Sequence, residues 1–543
     1  MKNNKLQNLL YLVIWLLEGA ALAFAVTTVW QLDMLPEQYL LLVVALALLV
    51  WALSGLALLL PSRKPGGGKI RRGISCVLVL LVVLGCAVLT TVVMDLYETM
   101  HQIVDDPTDK TVNRGVYVLA DDPAQSLADV KNYTFAKVTG YDEAYTGGAV
   151  AVIEKTVGGK LTVREFESIP EMVAALYEGS VDAVILNSAS IAIIQENTAY
   201  TDFSQQTKLL CQVEVREEDV PATQPTQPTI PSDPTDPSED VTVDPDPTEP
   251  STQPSIPEVT VPPIAEPKDI TNTPFVVYVS GSDNRGTWIE DGRSDVNILV
   301  VVNPETKQVL LINTPRDFYI PNPAGNGKLD KLTHCGNDGL ENSMKALGDL
   351  YNVPVSYYAN INFVGFETFI DAIGGVTVYS DYSYRAVDTW IYPGENYLNG
   401  KQALDFARER DNVPGGDLTR GVHQMRMIKA VIQKMTSSTA LITGYADILE
   451  SLTGMFRMSI SVEEISQLVK MQLGDMASWN ISSYATQGKD NGAGVMAYTY
   501  SVPGVPLWVL PPDDDSVEHA SKLIEMVVSG EILTEEDLVG PIK

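Results

Sequence analysis

The hydrophobic pattern begins with three long apolar stretches and then changes to shorter segments with strand-like or helical spacing. The stretches Leu9–Trp30, Tyr39–Leu60 and Gly73–Met94 hold 22 residues each. At about 1.5 Å per residue, each is long enough to cross a hydrocarbon core about 30 Å thick. The first stretch is too long for a typical signal-peptide core, and two more follow it. We therefore predict three transmembrane helices within residues 1–100 rather than a cleaved leader.

Basic residues around these stretches predict the orientation in the membrane. Lys2 and Lys5 precede the first stretch, the second connection carries five basic residues, and the first connection carries none. Because cytoplasmic loops are enriched in Lys and Arg, the N-terminus should face the cytoplasm and everything after Met94 should lie outside. This is the topology of a multi-pass membrane protein with a large extracellular part. Glu18 lies inside the first stretch, where a carboxylate is costly, and we expect it to pack against a neighbouring helix.

Residues 108–216 have the pattern of a small extracellular α/β lobe. Gly115–Asp121, Val150–Lys155 and Val181–Asn187 are short β-branched runs that predict strands, whereas Ile169–Gly179 has helical apolar spacing. A helix that ends at Gly and leads into a strand is one step of a doubly wound sheet. The segment resembles one lobe of an extracellular solute-binding domain. A ligand-binding lobe and a structural spacer without a ligand are both open interpretations.

Residues 219–267 have the composition of a disordered linker. They contain 14 prolines and 10 acidic residues, but no Lys or Arg. Such a segment cannot bury enough apolar area to offset the entropy of ordering it. Its prolines and like charges extend the chain toward polyproline II. We expect it to let the last domain work away from the membrane or to act as a passive connection.

Residues 270–543 predict a large α/β domain with a central mixed sheet flanked by helices. Phe275–Asp283, Val296–Pro304 and Gln308–Asp317 are nearly continuous apolar runs, typical of strands that are buried on both faces. A short polar turn joins the last two runs as a hairpin. The segments with helical spacing are Glu341–Tyr351, Val364–Gly375, Leu418–Met435, Val462–Met476 and His519–Ile532.

Composition excludes several classes of function. Lys and Arg number 37 against 69 Asp and Glu, a formal net charge of −32, so a nucleic-acid partner is not expected. Four cysteines are too few for a disulfide framework, and two of them lie within one apolar stretch. Four scattered histidines form no pair at metal-ligand spacing, which argues against zinc or haem.

The candidate chemistry lies where charged residues meet the ends of predicted elements of the last domain. Arginine side chains suit phosphate because their guanidinium groups bind it through two hydrogen bonds. Two nearby carboxylates would suit Mg²⁺, which binds through one or two carboxylates together with substrate phosphate oxygens. Separate surface ion pairs are the alternative. The residues at these positions are Asp283, Arg293, Asp295, Arg316, Asp317, Lys328, Arg408, Arg410, Arg420 and Gln424.

Five motifs between about residues 275 and 435 resemble those of the LytR–CpsA–Psr family, in the order that is typical of the family. They are GSDNRGTWIEDGRSD, TPRD, GFETFIDAIGGVTV, YLNGKQALDFARER and GGDLTRGVHQ. The resemblance implies an enzyme that transfers a polyprenyl-diphosphate-linked glycopolymer, of the teichoic acid or capsule type, to a hydroxyl of peptidoglycan. It also implies assistance by Mg²⁺ and an apolar slot for the polyprenyl tail between the sheet and a covering helix.

The resemblance also implies roles for single residues. Asp283 and Asp295 would hold Mg²⁺, and Asp417 would orient arginines. Asp283, Arg293, Asp295, Arg316, Arg408 and Arg410 would be catalytic. The residues that would bind the diphosphate are Arg293, Arg316, Lys328, Arg408, Arg410, Arg420 and Gln424.

The chain departs from the family pattern at His423, at Asp330 and in the segment NTPRD, which puts substrate detail in doubt more than activity. Two alternative functions use the same residues. One is a polyprenyl-phosphate-binding sensor without turnover, and the other is a pyrophosphatase that releases the diphosphate to water. The membrane topology and the wall-directed chemistry that the resemblance implies together predict a place in a bacterial cell membrane.

Overall fold

The structure of the chain is a computed structural model that combines three long helices with two α/β units. The residues it describes are 2–60, 67–104, 111–139, 143–187, 190–196, 199–216, 269–282, 292–437, 454–502 and 506–540. The predicted fold class is confirmed by helices packed on mixed sheets. The predicted linker, residues 219–267, lies outside the described residues.

Three apolar helices open the chain, α1 (Lys2–Gln31), α2 (Glu37–Leu59) and α3 (Gly67–Ile103). Among the described residues these are the helices long and apolar enough to cross a membrane. Apart from Leu60, which directly follows α2, each apolar stretch of the sequence lies within one of these helices, so the prediction of three long apolar helices is confirmed.

Helices α1 and α2 pack through a matched pair of tryptophans. The rings of Trp15 and Trp51 stack with their centroids 4.3 Å apart. Each indole N–H donates to the other residue's backbone carbonyl, at 2.8 and 3.1 Å. The Ser54 hydroxyl donates to Glu18 Oε2, and Glu18 is fully buried. Glu18 therefore packs against a neighbouring helix, as expected.

The lobe is a five-stranded sheet, in the order β3-β2-β4-β1-β5, with helices on both faces. Strand β2 is parallel to β3 and β4, whereas β1 is antiparallel to β4 and β5. Its elements are β1 (Thr111–Leu119), β2 (Thr134–Val138), α4 (Glu143–Val157), β3 (Thr162–Phe166), α5 (Ile169–Tyr177), β4 (Ala183–Leu186), α6 (Ser190–Glu196), α7 (Phe203–Gln206) and β5 (Thr207–Arg216).

One predicted strand of the lobe is wrong. Val150–Lys155 lies inside α4, where Ala149 and Ile153 are buried one turn apart. A six-residue apolar run fits a strand and a buried helix equally well, and only the longer helical spacing separates them. The prediction also passed over β2 and β3, which flank this helix.

The C-terminal unit is built on a six-stranded mixed sheet in the order β16-β11-β6-β7-β8-β17. Its strands are β6 (Phe275–Ser282), β7 (Ser294–Asn303), β8 (Gln308–Asn313), β11 (Tyr357–Asn362), β16 (Phe456–Met458) and β17 (Asn480–Ala485). Strands β7 and β8 form the predicted antiparallel hairpin, whereas β11 and β17 pair in parallel with β6 and β8.

Helices cover both faces of this sheet, because apolar residues of its central strands alternate between the two faces. Leu299 and Val301 of β7 lie in a core with α9 (Leu340–Tyr351) and α15 (Asp514–Ser529). Val300 lies in a second core beneath α12 (Asp417–Ser437).

The remaining elements lie around these layers. A third core packs on the outer side of α12 and contains two helices, Phe363–Ala372 and Gly400–Arg408, and two short two-stranded sheets. The remaining elements are β9 (Tyr319–Pro321), β10 (Leu329–Lys331), α8 (Leu332–Cys335), a 3₁₀ turn (Gly336–Asp338), α10 (Phe363–Ala372), β12 (Val376–Ser380), β13 (Tyr384–Ala386), β14 (Thr389–Ile391), β15 (Gly394–Leu398), α11 (Gly400–Arg408), α13 (Val462–Asp475), α14 (Lys489–Gly492), β18 (Val495–Tyr498) and β19 (Pro506–Val509).

The C-terminal unit lies against one end of the helical anchor. Met34, Met100 and Ile103 form an apolar cluster with Val462 of α13. Lys470 Nζ lies 2.8 Å from a carboxylate oxygen of Asp33. The α1–α2 connection and the end of α3 therefore lie on the same side of the anchor as the C-terminal unit.

Candidate functional site

The candidate site begins at the turn after β8, which hydrogen bonds hold in place. Thr314 N–H donates to the Asn297 carbonyl at 2.9 Å, and the Thr314 hydroxyl lies 2.7 Å from the Tyr351 hydroxyl. The carbonyl of Arg316 accepts from Thr333 N–H at 2.9 Å. These bonds fix the backbone on both sides of Pro315, so the side chain of Arg316 projects from a rigid strand end.

Helix α12 brings a second arginine to this strand end. Gly421 faces the side-chain amide of Asn313, the last residue of β8, and a Cβ at this position would overlap with that amide. The absent side chain lets the helix lie directly against the strand end. Arg420, the preceding residue, is thereby placed in the charged cluster around Arg316.

Ion pairs link the residues of this cluster. Arg316 Nη1 lies 2.6 Å from Asp295 Oδ1, and Arg316 Nε lies 3.7 Å from Asp317 Oδ2. Arg420 Nη2 lies 2.5 Å from Asp417 Oδ1. We name Arg316, Arg420, Asp295, Asp317, Asp417 and Lys331 the arginine cluster; Lys331 joins it because its Nζ lies 3.3 Å from Asp317 Oδ1.

The surroundings shift the pKa values of the two arginines in opposite directions. Burial opposes the charge of Arg316, but the carboxylates of Asp295, Asp317 and Asp417 together raise its pKa. For Arg420, burial is the largest effect and lowers the pKa, and the nearby Arg316 lowers it further against the opposing effect of Asp417. An added anion would therefore relieve repulsion between the two guanidinium groups.

Arg316 also has a donor without an acceptor. Its Nε–H is buried and has no hydrogen-bond partner among the described residues. Leaving a buried donor unpaired costs about 1–3 kcal/mol, more for a charged group. An oxygen of a bound phosphate would satisfy this donor.

Arg408, Arg410 and Gln424 lie around the end of α11. Arg408 and Arg410 are exposed, and the residue between them, Glu409, is buried. The Arg408 guanidinium lies 4.3 Å from the centre of the Phe363 ring. Gln424 Nε2 donates to the Ala407 carbonyl at 3.4 Å, which links α12 to the end of α11.

Lys328 lies apart from the arginine cluster. It is exposed, and its Nζ lies 5.9 Å from the centre of the Tyr500 ring. The expected convergence therefore fails for this lysine. Three residues later, Lys331 reaches Asp317 instead.

Of the two predicted Mg²⁺ ligands, Asp295 lies within the described residues. Asp283 lies outside the described residues, whereas Asp295 lies in β7 with Arg293 directly before the strand. One oxygen of Asp295 contacts Arg316. Within the part of the chain that the structure describes, no group of three or more His, Cys, Asp or Glu forms a metal site. A single carboxylate still fits Mg²⁺, because this ion takes most of its ligands from water and phosphate oxygens.

Sequence reasoning missed Lys331 and the buried residue beside it. Asp330 Oδ1 accepts from His334 Nδ1 at 2.7 Å and from Lys331 N–H at 2.8 Å. Its Oδ2 accepts from the Ser501 hydroxyl at 2.5 Å. Leu329 is exposed and the next two residues are buried. Strand alternation would place Lys331 on the exposed face with Leu329, so it gave no signal for the burial of this lysine.

Comparisons with known proteins agree with these observations. Residues 246–505 match the family model described as the LytR_cpsA_psr family. The chain is 32% identical over 206 residues to a Bacillus cereus protein named polyisoprenyl-teichoic acid–peptidoglycan teichoic acid transferase TagU, covering 38% of this chain and 66% of that protein. A protein of the same name from Enterococcus faecalis is 31% identical and covers 36% and 64%.

The chain thus spans somewhat less than two thirds of the length of these relatives. The crystal structure of Bacillus subtilis TagV aligns with a TM-score of 0.40 and 22% identity, over 48% of this chain and 98% of that one. The family match covers the TPRD turn, α11 and α12, which hold the arginine cluster. The C-terminal unit of this chain therefore belongs to the LytR–CpsA–Psr family.

Proposed function

We propose that the protein is a membrane-anchored, extracytoplasmic phosphotransferase. It attaches a polyprenyl-diphosphate-linked glycopolymer, of the teichoic acid or capsule type, to peptidoglycan. The observation that carries the proposal is the arginine cluster, in which two close guanidinium groups and a lysine lie at strand and helix ends with an unpaired, buried donor on Arg316. The names of the relatives, which describe the transfer of teichoic acid to peptidoglycan, support the choice of substrate.

In this proposal the arginine cluster binds the diphosphate. Arg316 Nε and the guanidinium of Arg420 donate to phosphate oxygens, and Lys331 adds a third positive charge. Asp317 and Asp417 orient these cations through the ion pairs described above. Asp295, together with Asp283, would hold Mg²⁺, which would supply further neutralisation of phosphate charge.

The reaction is a displacement at phosphorus. A peptidoglycan hydroxyl oxygen forms a bond to the sugar-bearing phosphorus, and the bond from that phosphorus to the bridging oxygen breaks. Polyprenyl monophosphate leaves with the bridging oxygen, and the hydroxyl proton passes to solvent or to a nearby carboxylate. Catalysis in such reactions rests mainly on positioning and on stabilising charge at the transferred phosphoryl group. The fixed strand end of Arg316 suits this requirement.

The proposed location follows from the anchor. The basic N-terminus and second connection would face the cytoplasm, and the C-terminal unit would lie outside. The contacts of Asp33 and Met34 with the C-terminal unit support a placement of both on the outer side. The site would then have access to peptidoglycan and to a lipid carrier in the same membrane.

The test uses the full chain in lipid nanodiscs with Mg²⁺ and a synthetic polyprenyl-diphosphate oligosaccharide, with and without peptidoglycan oligomers. Mass spectrometry should detect sugar phosphate on peptidoglycan. Arg408→Ala should abolish the product, whereas Arg385→Ala, on the exposed hairpin of β13, serves as the matched control. Sugar phosphate released regardless of acceptor would indicate a pyrophosphatase. Tight binding of the lipid without turnover would indicate a sensor.

A further inference from the structure

A cavity of about 440 Å³ lies between the lobe and the C-terminal unit. The lobe contributes Thr139, Glu167 and Ser168 to its lining, and the C-terminal unit contributes tyrosines together with Lys328. The volume is within the range of small-molecule sites, about 300–1,000 Å³. We name this space the interdomain cavity.

The lobe meets the cavity at the carboxyl ends of its parallel strands. Thr139 directly follows β2, and Glu167 and Ser168 directly follow β3. From β2 the chain runs through α4 to β3 on one side, and from β3 it returns through α5 to β4 on the other side of β2. Helices α4 and α5 pack in separate cores against the two faces of the sheet. This is a switch point, where open α/β sheets bind ligands outside the carboxyl ends of the strands.

The C-terminal unit closes this edge of the lobe. Asn187, directly after β4, donates from Nδ2 to the carbonyl of Asn337 at 2.8 Å, and both residues are buried. This bond holds the carboxyl edge of the lobe against the 3₁₀ turn that follows α8. The C-terminal unit therefore covers one side of the switch point and limits its exposure to solvent.

Backbone contacts fix the wall that the C-terminal unit provides. The Tyr319 hydroxyl donates to the Tyr498 carbonyl at 2.6 Å, and Tyr500 N–H donates to the Leu329 carbonyl at 3.0 Å. The Tyr500 ring packs on Gly325, where a Cβ would lie 2.8 Å from it. The ammonium group of Lys328 lies beside the same ring. Aromatic rings and one cation are thus held in place before any ligand binds.

We propose that the interdomain cavity binds a sugar ring that carries one negatively charged group. Tyrosine rings offer flat apolar faces with polar edges, which suit the C–H face and the hydroxyls of a sugar. Lys328 would pair with the anionic group, and the Glu167 carboxylate would accept hydrogen bonds from hydroxyl or amide N–H groups of the sugar. The hydroxyls of Thr139 and Ser168 add further polar contacts. This binding site does not depend on the proposed transferase activity.

A ligand here would contact a segment that leads to the arginine cluster. Lys328 directly precedes β10, and β10 ends at Lys331, which pairs with Asp317. Ser501, which also lines the cavity, donates to the buried Asp330 of the same strand. An occupied cavity should therefore hold β10, and with it Lys331, more firmly in place.

The experiment measures binding of three sugars to the full chain in detergent micelles by saturation-transfer NMR and calorimetry. N-acetylmuramic acid carries a carboxylate, N-acetylglucosamine 1-phosphate carries a phosphate, and N-acetylglucosamine is neutral. One or both anionic sugars should bind at least about tenfold more tightly than the neutral one. Preference for the carboxylate or the phosphate would distinguish a peptidoglycan source from a glycopolymer source.

Two variants separate this site from general charge attraction. Lys328→Met should weaken binding of the anionic sugar about tenfold, whereas Lys345→Met, an exposed lysine of α9, should leave it unchanged. Tyr498→Ala should weaken the binding of all three sugars. Thermal unfolding should confirm that each variant is folded. Three results would each overturn the proposal. They are binding of the neutral sugar as tight as that of the anionic sugars, unchanged binding of the anionic sugar by Lys328→Met, and no binding of any sugar at millimolar concentration.

Discussion

Two charged groups of the C-terminal unit, the buried Asp330 and the partly buried Arg316, differ in how fully their hydrogen bonds are satisfied. Asp330 accepts four bonds of 2.5 to 3.1 Å, from His334, Ser501 and the backbone of Lys331. Arg316 pairs with Asp295, but its Nε–H, 3.7 Å from Asp317 Oδ2, has no hydrogen-bond partner among the described residues. A satisfied buried charge fixes a structure, whereas an unsatisfied one leaves capacity for a ligand. Asp330 should therefore matter for stability, and Arg316 for substrate.

The largest expected effect follows from changing Arg316 without removing its charge. Arg316→Lys keeps a cation beside Asp295 but loses the planar fork that can bind a phosphate and a carboxylate together. Transfer should fall about 10²–10³-fold, as when one donor that stabilises transition-state charge is removed. The thermal unfolding temperature should change little, since the ion pair with Asp295 is retained. The nanodisc transfer assay measures the rate of transfer, and a thermal scan measures the unfolding temperature.

The control for this variant is Arg385→Lys, because the Arg385 side chain is exposed. It should change neither activity nor stability. If Arg316→Lys unfolds the protein at a clearly lower temperature, the arginine is mainly structural. Arg316 and Asp330 would then both serve stability, and the difference in role inferred from their hydrogen bonds would be wrong.

The second effect is a loss of stability at Asp330. Asp330→Ala would leave the bonds of His334 and Ser501 without their acceptor inside a buried site, at a cost of about 3–5 kcal/mol. Asp330→Asn should cost less, because it retains an acceptor for Lys331 N–H. Unfolding by denaturant should show this order. Equal stability of Asp330→Ala and the parent protein would contradict the structural role of this residue.

The third effect is a pH dependence from His423. This residue is fully buried, and its ring stacks on Phe406 with centroids 4.2 Å apart. Burial, followed by the positive charge of Arg426, lowers the pKa of His423 to about 4. An unfolded histidine has a pKa of about 6.5, so the unfolded chain binds an additional proton between these values. Stability is thus fully present above about pH 6.5 and is lost as the pH falls toward 4.

Between pH 7 and pH 5 the loss from His423 should be about 2 kcal/mol. His423→Phe, which keeps an aromatic ring between Phe406 and Tyr384, should remove most of this slope. The measurement is the unfolding free energy of both proteins across this pH range. Parallel curves would show that other groups cause the acid sensitivity.

The sequence predicted the charged site better than it predicted single contacts. Arg316 and Arg420 could be expected to meet because each lies at the end of an element with strong apolar spacing. Lys328 was chosen because it lies in the predicted loop after the third strand. The burial of Lys331 and its contact with Asp317 appear only in the folded chain. The catalytic, metal-binding and diphosphate-binding roles assigned to the site residues all stay predictions.

The same reasoning explains the error in the lobe. Val150–Lys155 is rich in β-branched residues, which favour strands, but tertiary packing of Ala149 and Ile153 decides for a helix. The contact between the lobe and the C-terminal unit gave no local signal, because Asn187 and Asn337 are 150 positions apart. Periodicity predicts elements, whereas contacts between units depend on the whole fold.

The smallest effect concerns the contact between the anchor and the C-terminal unit. The Lys470–Asp33 pair is partly exposed, with 34% and 64% of the side-chain surfaces accessible. Exposed pairs contribute about 0–1 kcal/mol and weaken with salt. Lys470→Ala should therefore lower the unfolding temperature only slightly at low salt and not at all at high salt. Met100→Ala, in the fully buried apolar part of the same contact, should lower it in both conditions because it leaves a cavity. A larger effect of Lys470→Ala than of Met100→Ala would mean that charge, not apolar packing, holds the C-terminal unit on its anchor.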